Sequence, residues 1–239
     1  MLSRSLLFAL WILPAALVAD DAFYCCGGEE VIKYSRGGSD EKFAKVLTWT
    51  AAKSPEIPEE LHAAFKTTAD CKPAGDKLLI VSSGGGVALV DPDGWKCHFY
   101  TRVPNAHRAC LLPNDHIAIA SSIGGNHVEF FKIQDFQAEG KKITKLPLDS
   151  AHGVVWDKKR QRLWALGYSK LLLINIDKLT DGGTPIVEKR IALPNDDGHD
   201  LTEGEDCNAH GQEHKTVRAA QKTKSNTITN RGNCDVEIC

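Results

Sequence analysis

The chain has 239 residues, 42% hydrophobic and 25% charged, an ordinary balance for a globular protein that buries a real core as one sizeable domain or two small ones. Lysine plus arginine number 29 against 31 aspartate plus glutamate. With no basic surplus and no Lys/Arg-rich run, nucleic acid is excluded as a partner.

Residues 1–19 read as a secretory signal peptide. Arg4 gives the positive start, Leu6 to Val18 is an apolar stretch of 13 residues, and small residues lead to a cleavage site after Ala19. A membrane span needs about 20 apolar residues, so this run is too short, and no second one follows. The expected location is therefore secreted or periplasmic. The eight cysteines then meet an oxidising compartment. Cys71 and Cys110 fall at one repeat phase, which reads as two small buried hydrophobes rather than partners.

From Phe23 onward the sequence alternates β-rich runs with turn residues. Gly27-Gly28 precedes Val31-Ile32-Lys33-Tyr34, and Glu59 to Phe65 is the one good helical candidate. Asp70 to Ser83, Ala109 to Ser122 and Gly153 to Gly167 each read as strand, turn, apolar strand. A glycine-bearing link and a third strand follow each, and then a more polar fourth strand closed by Pro104, Pro147 or Pro194. Histidines mark the period: from His107 to His152 is 45 residues, and from His152 to His199 is 47. Four-stranded units of this length predict an all-β fold, a β-propeller of four-stranded antiparallel blades. About four blade equivalents fit between Phe23 and Leu201, so the propeller reads as incomplete. Residues 20–201 are assigned to it.

These segments also carry a resemblance. Cys26-Gly27-Gly28-Glu29-Glu30-Val31, Thr67 to Pro73, Ser82 to Asp91, Asn105-Ala106-His107, Ser150 to Asp157 and Gly198 to Leu201 are together similar to an uncharacterised family of bacterial exported propellers, defined only as a domain of unknown function. The resemblance implies the fold and no established reaction. It stops after Leu201. Residues 202–239 contain no leucine and no aromatic residue, so they are expected to form a disordered or aberrant tail. The chain thus reads as truncated, or changed in frame, at that point.

The chemistry candidates are His107, His152 and His199. Each follows a small residue and opens the first, innermost strand of its unit, so equal phase predicts three imidazoles at one end of the central channel. Converging imidazoles are good ligands for a divalent transition metal. Asn105, Ser150 and Asp200 are the expected second layer that orients the rings. The plainer alternative is a structural staple between neighbouring blades, and Thr68 is expected to hold the equivalent phase in the unit before. Gly84-Gly85-Gly86 lacks the lysine and the helix of a phosphate loop and reads as a tight turn. No G-x-S-x-G element is present, and no catalytic residue is assigned. Two functions are expected to compete. One is a non-catalytic scaffold that binds a protein or glycan at the channel mouth. The other is a metal-dependent polysaccharide lyase or hydrolase built on the three histidines.

Overall fold

Buried strands with apolar side chains on both faces need cover on both sides, and radial sheets around an axis supply it. In the computed structural model, which describes residues 22–37, 42–135, 138–207, 213–221 and 236–238, five sheets follow one another along the chain. The first has three strands, β1 (Ala22–Gly27), β2 (Glu30–Gly37) and β3 (Lys42–Trp49). Three four-stranded blades follow. Blade 2 is β4 (Thr68–Ala74), β5 (Lys77–Ser82), β6 (Gly86–Val90) and β7 (Cys97–Arg102). Blade 3 is β8 (Ala106–Leu112), β9 (His116–Ser121), β10 (His127–Lys132) and β11 (Lys141–Pro147). Blade 4 is β12 (Gly153–Asp157), β13 (Arg162–Leu166), β14 (Lys170–Asn175) and β15 (Ile186–Ala192). The last sheet is β16 (Gly198–Cys207), β17 (Glu213–Gln221) and β18 (Val236–Ile238). Neighbouring strands pair in chain order, antiparallel except for β17 with β18. A short helix, α1 (Glu59–His62), precedes a 3-10 turn over Ala63–Phe65, as the sequence suggested. No helix among the described residues is long and apolar enough to cross a membrane. The signal peptide expected over residues 1–19 lies outside the described residues, as do Cys234 and Cys239.

The period of two along a strand sorts each side chain to one neighbouring blade. Leu78 and Ile80 of β5 pack against Val31 and Trp49 of the first sheet, while Leu79 and Val81 pack against Ala109, Ile117 and Ile119 of blade 3. Val128 and Phe130 meet Val154, Leu163 and Ala165 of blade 4, and Leu166 and Leu171 meet Leu201 of β16. The outermost strands β11 and β15 are mostly exposed or half-buried, which is the polar fourth strand read from the sequence.

The first strand of each full blade is the edge of its sheet, and these edges pack on each other: β8 lies against β4 and β12, and β16 against β12. The first sheet is offset by one strand. The Thr68 amide at the start of β4 donates to Gly28 O in the β1–β2 turn at 2.7 Å, as the Gly198 amide at the start of β16 donates to Tyr168 O in the β13–β14 link at 2.8 Å. β1 therefore holds the second-strand position. The tight turn at Gly84–Gly86 crosses Phe65. A Cβ on Gly86 would sit 2.7 Å from that ring, and Gly85 takes φ +105°. Close approach, not phosphate, explains these glycines.

Two sequence-based alignments are corrected by the register. Asp70 pairs with Val81 and Arg108 with Ala120, each after a one-residue bulge, so His107 is equivalent to Ala69 and not to Thr68. Cys71 pairs with Ile80 and is equivalent to Ala109, while Cys110 pairs with Ala118 and is equivalent to Lys72. The Pro113-Asn114-Asp115 turn is one residue longer than Gly75-Asp76, which offsets the two strands in a linear alignment. Of the tail expected over residues 202–239, the described residues are 202–207, 213–221 and 236–238. β16 runs through Leu201 to Cys207 and pairs with β17. Ladder hydrogen bonds need backbone, not leucines or aromatics, so an apolar-poor sequence still pairs.

The charged turn between β12 and β13 is fastened by Asp157. Its carboxylate accepts from the Arg160 amide at 2.9 Å, Arg160 Nη1 at 2.7 Å and Trp164 Nε1 at 3.3 Å. Burial pushes this carboxyl up, but the Arg160 and Trp164 donors outweigh burial and hold it below its ordinary value of 3.8. A depressed carboxyl stabilises the fold above its unfolded pKa and loses that contribution as pH falls through the folded one. Asp157→Asn should therefore cost about 1.5 kcal/mol at pH 7 in urea titrations. The gap to the parent should close below pH 3.8, where the parent carboxyl gains its proton.

Candidate functional site

Three times the chain enters a blade through the same local device. Asn105, Ser150 and Asp197 take left-handed φ of +46°, +43° and +73°. A small residue follows, and then the histidine. Ala106 and Ala151 are fully buried, and a Cβ on Gly198 would sit 2.3 Å from Gly167 O, so nothing larger fits. His107 and His199 are the residues skipped by the ladder, between Ala106 and Arg108 and between Gly198 and Asp200. The His152 amide still donates to Leu166 O at 2.9 Å, just ahead of β12. A bulge re-aims its side chain, and here it turns the His107 and His199 rings toward that of His152. The His107 and His152 centroids are 4.4 Å apart at a tilt of 45°, and those of His152 and His199 are 5.0 Å apart at 35°.

The central ring is oriented by its surroundings. His152 Nδ1 lies 2.7 Å from Ser150 O, and a carbonyl can only accept, so Nδ1 carries the proton in the neutral ring. The hydroxyls of Ser122 and Ser150 stand 3.3 and 3.2 Å from Nδ1. Burial, then the charges that His152, His199 and Arg108 would carry beside it, bring the His107 pKa from 6.5 down to about 4. His107 is uncharged at neutral pH.

The next residue of each innermost strand forms a second layer, Asp70, Arg108, Gly153 and Asp200. Arg108 spans it. Nη1 donates to Asp70 Oδ1 at 3.1 Å and Nη2 to Asp200 Oδ1 at 2.6 Å. The blade between Arg108 and Asp200 contributes Gly153, where a Cβ would meet Leu201 Cβ at 2.4 Å. Asp70 Oδ2 is buried and faces Lys72 Nζ at 3.0 Å, an ion pair without hydrogen-bond alignment. Two carboxylates and two cations balance. Beyond this layer a cavity of about 440 Å³ runs along the innermost strands, lined by Lys72, Arg108, Cys110, Val155, Trp156 and Leu201.

The sequence model of a family of unknown function, DUF6528, matches residues 40–177, more than half of the chain. The chain belongs to DUF6528. The match includes His107 and His152, whereas His199 lies beyond it. No curated protein is similar at a significant level. The periplasmic gluconolactonase PpgL of Pseudomonas aeruginosa aligns at 11% identity and a TM-score of 0.56, over 84% of this chain and 59% of that one. A Lactobacillus plantarum protein aligns at 12% identity and a TM-score of 0.54, over 77% of this chain and 56% of its own. This DUF6528 chain thus spans less than two thirds of the length of these solved structures. At such identities the likeness establishes the propeller fold alone.

Within this DUF6528 propeller the residues singled out from sequence divide. His107, His152 and His199 are brought together. Ser150 touches the central ring. Asn105 Nδ2 donates to Ile123 O at 3.1 Å. Asp200 is occupied by Arg108. The residue equivalent to Asn105 and Ser150 is Asp197, which the sequence reading passed over although it too stands two residues before a histidine. Ser122 and Asp70 were also passed over. No group of three or more His, Cys, Asp or Glu side chains among the described residues is arranged, as it stands, to hold a metal ion.

Proposed function

We propose that this is an exported, non-catalytic propeller that binds a neutral, hydroxyl-rich ligand, a glycan or sugar-derived ring, on His107, His152 and His199 at the channel mouth. The observation that carries the reading is electrical. His107 is uncharged, and the layer beneath it is charge-balanced, with Arg108 committed to two carboxylates. Such a surface offers hydrogen bonds without a field that would hold an anion. Imidazole nitrogens together with the Ser122 and Ser150 hydroxyls supply both donors and acceptors, the complement of a polyol. The fold likeness to a protein named a gluconolactonase is in keeping with a sugar-derived ligand.

A second reading, a divalent transition metal on the same three rings in a lyase or hydrolase, is favoured by one contact. The Ser150 carbonyl fixes the His152 Nδ1 proton and leaves Nε2 as the lone-pair nitrogen, the usual tuning of a metal-bound histidine. That reading requires the rings to turn.

Calorimetry of the full chain with neutral mono- and disaccharides and aldonolactones separates the two, with elemental analysis of the same samples. Saccharide binding should weaken about tenfold or more in His152→Ala, the loss of one good hydrogen bond. A stoichiometric transition metal that disappears in His152→Ala would replace the first reading with the second. Absence of saccharide binding by the parent, or turnover of the lactone, would overturn a binding scaffold.

A further inference from the structure

Cys26 and Cys71 face one another across the joint between the first sheet and blade 2. Alternation along β1 sends Tyr24 and Cys26 into the core shared with blade 2, while Phe23 and Cys25 point away and are exposed. Cys71, on β4, packs into that same core. The strands are held together at this point by Thr68, whose amide and hydroxyl donate to Gly28 O at 2.7 and 3.0 Å. The two thiols are near enough for each to shift the other's proton affinity. Both are half-buried, within reach of a small oxidant at the sheet edge.

We propose that Cys26 and Cys71 form a disulfide that pins the three-stranded first sheet to the propeller. The first sheet has no innermost strand of its own among the described residues, so it meets blade 2 through β1, a strand in the second position, packed on the β4 edge. A covalent cross-link at β1–β4 reinforces that joint. The bond would form by thiol–disulfide exchange with a disulfide oxidant such as oxidised glutathione. The Cys26 thiolate attacks one oxidant sulfur and expels a thiolate. Cys71 then attacks Cys26 Sγ in the mixed disulfide, its proton passing to the departing thiolate. Two electrons and two protons leave the protein, and the oxidant becomes two thiols.

The local chemistry assigns the roles. The neighbouring Cys71 thiol outweighs burial and, with help from Thr68, brings the Cys26 thiol from 9.0 down to about 7. Cys26, the less buried of the two, is the attacking sulfur at neutral pH. The neighbouring Cys26 and burial push the Cys71 thiol up, which makes it the resolving partner.

The test uses the full folded chain equilibrated with oxidised glutathione, alkylated without reduction, digested and mapped by mass spectrometry. The expected result is one linked peptide pair joining Cys26 to Cys71. Melting should then occur roughly 5 °C higher than after reduction. That difference should vanish in Cys26→Ser and in Cys71→Ser and persist in Cys25→Ser. Alkylation of both Cys26 and Cys71 in the oxidised parent, or a Cys25–Cys71 peptide in its place, overturns the assignment. The peptide map on the parent chain decides the matter even if a serine variant fails to fold.

Discussion

Trp49→Ala is expected to lower the unfolding free energy by about 4 kcal/mol. Trp49 ends β3 and is fully buried in the joint between the first sheet and blade 2. It packs edge-on against Phe65 with centroids 5.6 Å apart. Its Nε1 donates to Ser54 Oγ at 3.0 Å, and Ser54 passes the chain on to Trp95 O at 2.6 Å. Alanine removes the apolar area, leaves a cavity and withdraws a donor from a hydroxyl that is itself fully buried. Trp49→Phe refills part of the space but not the donor, so about 2 kcal/mol should be lost. Urea unfolding of the two variants at constant m-value checks both figures. A loss below 1 kcal/mol for the alanine variant would mean that the joint collapses around the gap and that the hydrogen-bond chain contributes little.

The next largest effect is expected at Arg108. Replacing it with methionine keeps much of the side-chain volume and deletes the cation. Asp70, whose side chain is only 10% exposed, is left with Lys72 alone. Removing one partner of a fully buried pair costs about 3–5 kcal/mol, but Arg108 is 25% and Asp200 39% exposed, so solvent screens part of the loss. A cost of about 2–3 kcal/mol is expected, seen as a melting temperature lower by roughly 6 °C. The double variant Asp70→Asn/Arg108→Met should recover about half of it, because the carboxylate that needed the guanidinium is gone. If the double variant is no better than the single one, the cost lies in lost packing of the arginine stem and not in the bridge.

The repeat was legible in the sequence because turn residues and the period of two survive local variation. The clustering of His107, His152 and His199 was legible for the same reason: equal phase in a radial array means equal height along the axis. What escaped was whatever depends on single-residue register. A bulge has no residue signature of its own, so Thr68 was taken for the position that Ala69 holds. A turn longer by one residue made Cys71 and Cys110 look equivalent, which concealed that Cys71 meets Cys26. The Arg108 bridge joins residues 38 and 92 positions away. It reaches across an intervening blade, which no local pattern carries. Asp197 was within reach. Asn, Ser and Asp two residues before each histidine share short polar side chains, and asparagine and aspartate in particular tolerate the left-handed conformation seen there.

The apolar interior is divided into four clusters, each wedged between two consecutive sheets. Cooperativity in such a molecule is a nearest-neighbour property, as in a linear array of coupled units. Blade 3, which carries His107, has an apolar cluster on each of its two faces, so it loosens only when both interfaces open.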